Sequence, residues 1–107
     1  MKNFFLVLLG SLFFITQTLA QNKADSLRKV LDGNPSDSVR VRTLIALSSH
    51  HQYVDFRQAR AYADEALSIA TKIGDLPTKV AAYQNKAVLL TMSGDYSAAL
   101  RYYNLTL

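Results

Sequence analysis

The 107-residue sequence contains no cysteine, no tryptophan, only two prolines and only four glycines. The absence of cysteine excludes a disulfide framework and, at the N-terminal end, a thioether lipid anchor. An apolar core must therefore supply the stability by itself, a demanding condition for so short a chain. Charge clusters are missing too. Beyond residue 20 the basic residues are Lys23, Arg28, Lys29, Arg40, Arg42, Arg57, Arg60, Lys72, Lys79, Lys86 and Arg101, scattered among eight acids for a net charge of +3. Without a basic stripe to track a phosphate backbone, nucleic acid is not an expected partner. The longest apolar run, Phe4–Ile15, has twelve residues, whereas a membrane span needs about 20.

That apolar run has another reading. Lys2 precedes it, polar Thr16–Thr18 follow, and Thr18-Leu19-Ala20 places small residues before Gln21. A basic start, an apolar centre and a small-residue cleavage site make a secretory signal peptide over residues 1–20. The expected destination is outside the cytoplasm.

The few Gly and Pro residues mark the boundaries. Gly33-Asn34-Pro35 ends a short segment in which Leu27, Val30 and Leu31 share a helical face. Gly33 is expected to take the left-handed position that closes this helix, with Ser36 or Asp37 capping the next. Gly74-Asp75-Leu76-Pro77 and Ser93-Gly94-Asp95 are the later breaks. Between them the apolar spacing follows the helical period. Leu44, Leu47, Ser48 and His51 form one face; Phe56, Ala59, Ala63, Ala66, Leu67 and Ala70 a second; Val80, Tyr83, Ala87 and Leu90 a third; and Tyr96, Ala99, Leu100, Tyr103 and Leu107 a fourth. No segment alternates as a strand would, so the expected fold class is all-α.

These faces repeat. Moving Phe56, Ala59, Ala63 and Leu67 forward by 40 gives Tyr96, Ala99, Tyr103 and Leu107. Moving Leu44, Leu47, Ser48 and His51 by 39 gives Tyr83, Lys86, Ala87 and Leu90. Such self-similarity describes helical hairpins that bury their apolar faces by stacking on one another. The expected packing residues are Leu44, Leu47, Ser48, Phe56, Ala59, Ala63, Leu67, Tyr83, Ala87, Leu90, Tyr96, Ala99 and Tyr103.

The second unit resembles the tetratricopeptide repeat family. Tyr83 stands at its large-aromatic position, Ala87 at the small one, Gly94-Asp95-Tyr96 at the interhelix turn, and Ala99 and Tyr103 on the second helix. The first unit matches more loosely, through Leu44, Leu47, Ser48, Phe56, Ala59, Ala66 and Leu67. Lys86 departs from the family's usual Leu, Thr106 from its Ala, and Tyr53-Val54-Asp55 lacks the turn glycine. The period of about 40 exceeds the common 34, with "SIATKIGD" as the extra length. The resemblance implies a right-handed superhelix of αα-hairpins, divided into 1–20 signal, 21–35 short helix and Pro turn, 36–76 first repeat and 77–107 second repeat. Because Leu107 matches Leu67, after which the first unit continues to Ile73, the last helix is expected to stop about two turns short, as in a piece of a longer chain.

Sharper chemical readings of the same residues find little support. His50 and His51 are adjacent, about 100° apart on a helix, and are not placed to chelate one ion. Ser48-Ser49-His50 has no strand-turn-helix elbow and no oxyanion loop. Asp64 and Glu65 point in different directions, so they do not form a glycosidase pair. Asn104-Leu105-Thr106 spells a glycosylation acceptor, which carries little meaning behind a bacterial-looking export signal. Tyr83, Tyr96 and Tyr103 are read as core filling rather than a ligand box. No catalytic, metal or cofactor site is expected.

What the resemblance implies is a surface. The family's groove positions fall on Arg42, Ile45, Ser49 and Gln52 in the first unit and on Gln84, Val88, Thr91 and Met92 in the second. Ile45 and Ser49 replace the Lys and Asn of repeats that clamp a terminal carboxylate, so chaperone-tail binding is not expected. A protein or peptide segment, or self-association, suits this set better. Signal peptide, short helix, Pro turn and long repeats together are similar to the exported repeat regions at the front of bacterial membrane sensor histidine kinases. Two other settings fit the same pattern: a free-standing periplasmic scaffold and a repeat-bearing helix-turn-helix regulator. None of the kinase motifs occurs in these residues, and contact with a membrane would come only through the signal peptide or a span further along.

Overall fold

A computed structural model describes residues 21–107; the expected signal peptide, 1–20, lies outside the described residues. Five helices follow in order: α1 over 21–32, α2 over Asp37–His51, α3 over Phe56–Ile73, α4 over Leu76–Met92 and α5 over Tyr96–Asn104. No strand occurs among the described residues. Helix α2 packs on α3, α4 packs on both, and α5 packs on α4. This is one hairpin, α2–α3, with a second, α4–α5, stacked against it. The second unit begins at Leu76, one residue before the expected boundary.

Aspartates start the last three helices. Asp55, Asp75 and Asp95 each accept a hydrogen bond from the backbone N–H three residues on, at Gln58, Thr78 and Ala98. Each occupies one of the donors that a helix N-terminus leaves without a partner. Asp75 also accepts from Thr78 Oγ1 at 2.6 Å. The Thr78 hydroxyl, then the Thr78 amide and the nearby charge of Arg42, hold the Asp75 carboxyl below its ordinary range. Its cap therefore persists above pH 3.8 and fails as the pH drops further, through the lowered value. Gly74 (φ 74°) and Gly94 (φ 86°) take the left-handed turns that a β-carbon disfavours. In the first break the left-handed residue is Asn34 (φ 55°), not Gly33 as expected. Asn tolerates that conformation, and its side chain accepts from Arg40 Nη2 at 3.1 Å.

The core is built from small residues on α3 meeting larger ones on α2. Ala59, Ala63, Ala66 and Ala70 are fully buried, and so are Val41 and Leu47, with Leu44 nearly so. Alanines at spacings of four and three form one stripe of a helix, and their small size permits approach near the lower end of the usual 8–10 Å. Phe56 and Leu67 sit at the edges of the two core clusters. Fully buried Ser48 spans the hairpin by donating from Oγ to the Ala59 carbonyl at 2.9 Å.

Two expected faces are rotated. On α4 the buried residues are Thr78, Ala82, Asn85, Ala87 and Leu89. Ala87 is among them as expected, but Val80, Tyr83 and Leu90 are half-buried. The cause is that α4 has two jobs: one face meets the α2–α3 hairpin and another meets α5. On α5, Ala99 is buried together with Ala98, whereas Tyr96 is 68 % and Tyr103 39 % exposed. Both tyrosines lie off the side that α4 covers, and Tyr102 takes the inward place, its ring centroid 6.0 Å from that of Tyr83. The last helix ends at Asn104 and passes into a turn, so Leu107 is not on a helical face.

This packing makes the core intolerant of volume and of lost hydrogen bonds. Ala63→Leu should lower unfolding free energy by about 1–3 kcal/mol through overpacking, while Ala61→Leu, on the exposed side of α3, should be nearly neutral. Ser48→Ala should cost about 1–3 kcal/mol because it strands a buried amide donor. Urea titration of the variants checks all three.

Candidate partner-binding groove

Where α2 and α4 run side by side, their outer faces enclose a concavity of about 240 Å³. Helix α2 contributes Ile45 and Ser49, its C-cap contributes Gln52, and α4 contributes Ala81, Gln84, Asn85 and Val88. The spacing on each helix is a single helical stripe. No charged side chain lines it. The wall combines apolar surface from Ile45, Ala81 and Val88 with amide and hydroxyl groups that can bond a partner's backbone.

Asn85 is the unusual member. It is 7 % exposed, and its Nδ2 donates to Ser48 Oγ at 3.1 Å. A serine hydroxyl has one proton. Ser48 gives that proton to the Ala59 carbonyl, so it can only accept from residue 85. This fixes the amide orientation and leaves Asn85 Oδ1 buried without a hydrogen-bond partner. A buried acceptor without a partner costs about 1–3 kcal/mol.

Five of the eight residues assigned to the groove from sequence line this concavity: Ile45, Ser49, Gln52, Gln84 and Val88. The other three do not. Arg42 lies near Asp75, where its charge helps to lower the carboxyl pKa. Thr91 turns its hydroxyl back onto its own helix, donating to the Ala87 carbonyl at 2.9 Å. Met92, 39 % exposed, stands in the last turn of α4, beyond the concavity. Ala81 and Asn85 were missed. A polar residue between Ala82 and Leu89 on one helical stripe was the available signal for Asn85, but its partner is 37 residues away.

Lys86, the departure from the family's usual Leu, has its side chain only 14 % exposed and pairs with Asp64 of α3. The apolar stem fills the leucine's place while the ammonium reaches a carboxylate at the rim. His50 and His51 meet edge to face with centroids 5.2 Å apart, and His51 stacks on Tyr62 at 5.7 Å. Among the described residues no group of three or more His, Cys, Asp or Glu is gathered to hold a metal. No described helix is long and apolar enough to cross a membrane.

A family model described as "Tetratricopeptide repeat" matches residues 41–107. The chain belongs to the tetratricopeptide repeat family, a class of non-catalytic protein-interaction folds. Searches of curated proteins and of solved structures returned no match.

The Lys86–Asp64 pair separates two energetic accounts. Asp64→Ala should cost about 1 kcal/mol, because it leaves a largely covered ammonium unpaired. Lys86→Leu should leave the melting temperature unchanged or raise it, since a well-packed apolar side chain commonly equals a partly buried ion pair. Thermal melts of both variants give the comparison.

Proposed function

We propose that this chain is an exported protein-interaction module whose α2–α4 groove holds a segment of a protein partner. The observation that carries the reading is the uncharged concavity between α2 and α4, walled by Ile45, Ala81 and Val88 and edged by Ser49, Gln52 and Gln84. The partner's segment would be free of charge along the contact and would bond its backbone to the polar edge, with its apolar side chains against Ile45 and Val88. Interaction modules of this type act by docking a partner or another copy. In the setting the sequence pattern most resembles, the repeats form the sensory front of a membrane-bound histidine kinase, on the periplasmic side of a bacterial inner membrane. Docking there would change how two chains sit together. The signal-like segment at residues 1–20 and the long repeats support this placement.

Two experiments test the proposal. Peptides of twelve residues selected from a random displayed library should be uncharged at their centre. They should bind Gln84→Ala and Val88→Arg about tenfold more weakly, the consequence of one lost hydrogen bond or one blocked wall. Tyr53→Ala, in the exposed α2–α3 turn, should bind them unchanged. Selected peptides that ignore both groove variants would remove the groove from the account. For export, residues 1–35 fused to a reporter enzyme active only outside the cytoplasm should give activity, and deletion of Phe4–Ile15 should abolish it.

A further inference from the structure

Helix α1 rests on the repeat helices through one stripe, Ala24, Leu27 and Leu31. Ala24 is buried and Leu31 packs against the cluster of Val41, Leu44, Ala66, Ala70 and Ala82, while Val30 faces water. Arg28 of α1 reaches Tyr62 of α3, a hydrogen-bond partner that raises the guanidinium pKa, and also meets α2 through a side-chain hydrogen bond. That bond runs from Arg28 Nη2 to His51 Nε2, at 3.3 Å.

The chemistry of that bond is one-sided. A guanidinium carries donors only and does not lose its proton. His51 Nε2 must therefore be the acceptor, which requires a neutral ring with its proton on Nδ1. Asp25, three residues earlier on α1, accepts from Arg28 Nη1 at 3.1 Å and braces the guanidinium. Tyr62 of α3 stacks on the His51 ring, 25° from parallel. If His51 takes up a proton, Nε2 becomes a donor facing a donor, and two positive charges meet.

We propose that Arg28 and His51 form a proton-sensitive latch that docks α1 on the α2–α3 hairpin and releases it when His51 is protonated. The groups around His51 favour release on acidification. Arg28 approaches from α1, His50 from its own helix, and Tyr62 from α3. Asp55, in the following turn, is the one nearby carboxylate, and it is engaged as the cap that accepts from the Gln58 amide at 3.1 Å. Burial first, then the charges of His50 and Arg28, lowers the His51 pKa from 6.5, with Asp55 opposing. Of these charges only Arg28 leaves with α1, so undocking raises the His51 pKa and the undocked state takes up the proton first. Docking therefore holds while His51 is neutral and weakens as the pH falls through its lowered pKa, below 6.5. Release would uncover the apolar edge of the first hairpin that Leu31 covers.

Hydrogen exchange of the chain at pH 7.5 and pH 5.0 tests the latch, after correction for intrinsic exchange and relative to the inner amides of α3. Residues 21–32 should exchange roughly fivefold faster at the lower pH, the scale of one exposed net hydrogen bond. His51→Gln keeps an acceptor for Arg28 but cannot titrate, so its α1 should stay protected at both values. His50→Gln, which removes one charge that opposes protonation of His51, should still loosen at pH 5.0. A His51→Gln chain that still loosens, or an unaltered chain that does not, overturns the proposal. Ring nitrogen shifts give a reading that needs no variant: at pH 7.5 the His51 proton should sit on Nδ1, and an Nε2–H tautomer would contradict the latch directly.

Discussion

The alanine stripe of α3 governs everything built around it. Ala59, Ala63, Ala66 and Ala70 leave no side-chain bulk on that side of the helix, so the larger residues of α2 and α4 can approach its backbone. Val41, Leu44 and Leu47 then bury almost completely against it. Each buried aliphatic side chain contributes about 1.5–3 kcal/mol, and no disulfide supplements that sum. The same close approach brings Ser48 within reach of the Ala59 carbonyl. Asn85 then reaches Ser48, and the three helices share one polar contact inside an otherwise apolar core.

The groove follows from this arrangement. Helices α2 and α4 both lean on α3 and so lie beside each other, and their outer stripes face a common space. The residues on those stripes carry no charge, which leaves recognition to shape, apolar contact and hydrogen bonds. The polar chain Ala59–Ser48–Asn85 ends in an acceptor with no partner. Core packing and the groove are thus linked through one side chain: Asn85 ties α4 to the first hairpin with its amide nitrogen and also lines the concavity.

Much of this was legible in the sequence. Helical spacing and three Gly- or Pro-bearing breaks separated most of the helices, because both signals are local. The alanine stripe of α3 and Leu44, Leu47 and Ser48 of α2 are buried as read, although fully buried Val41 was passed over: small and aliphatic residues are separated cleanly from charged ones there. The readings failed on α4 and α5. There, aromatic rings weigh heavily in any apolar count, but Tyr96 and Tyr103 lie off the covered side, while the small Ala98 and Ala99 make the close contact. Helix α4 packs in two directions, so a single stripe does not describe it. Asn85 was invisible for a different reason: its meaning lies in Ser48 and Ala59, which only tertiary structure brings near. Gly33 and Asn34 show a smaller version of this, where the residue with the lower steric cost was not the one that took the left-handed turn.

The most direct measurement of the central claim is native-state hydrogen exchange as a function of low denaturant concentration. If neither hairpin can cover its apolar side alone, the inner amides of α2, α3 and α4 should merge onto one opening free energy, equal to that of global unfolding. Helix α4 opening well below that value while α2–α3 stays protected would mean that the first hairpin stands by itself, and the stacking account would be wrong.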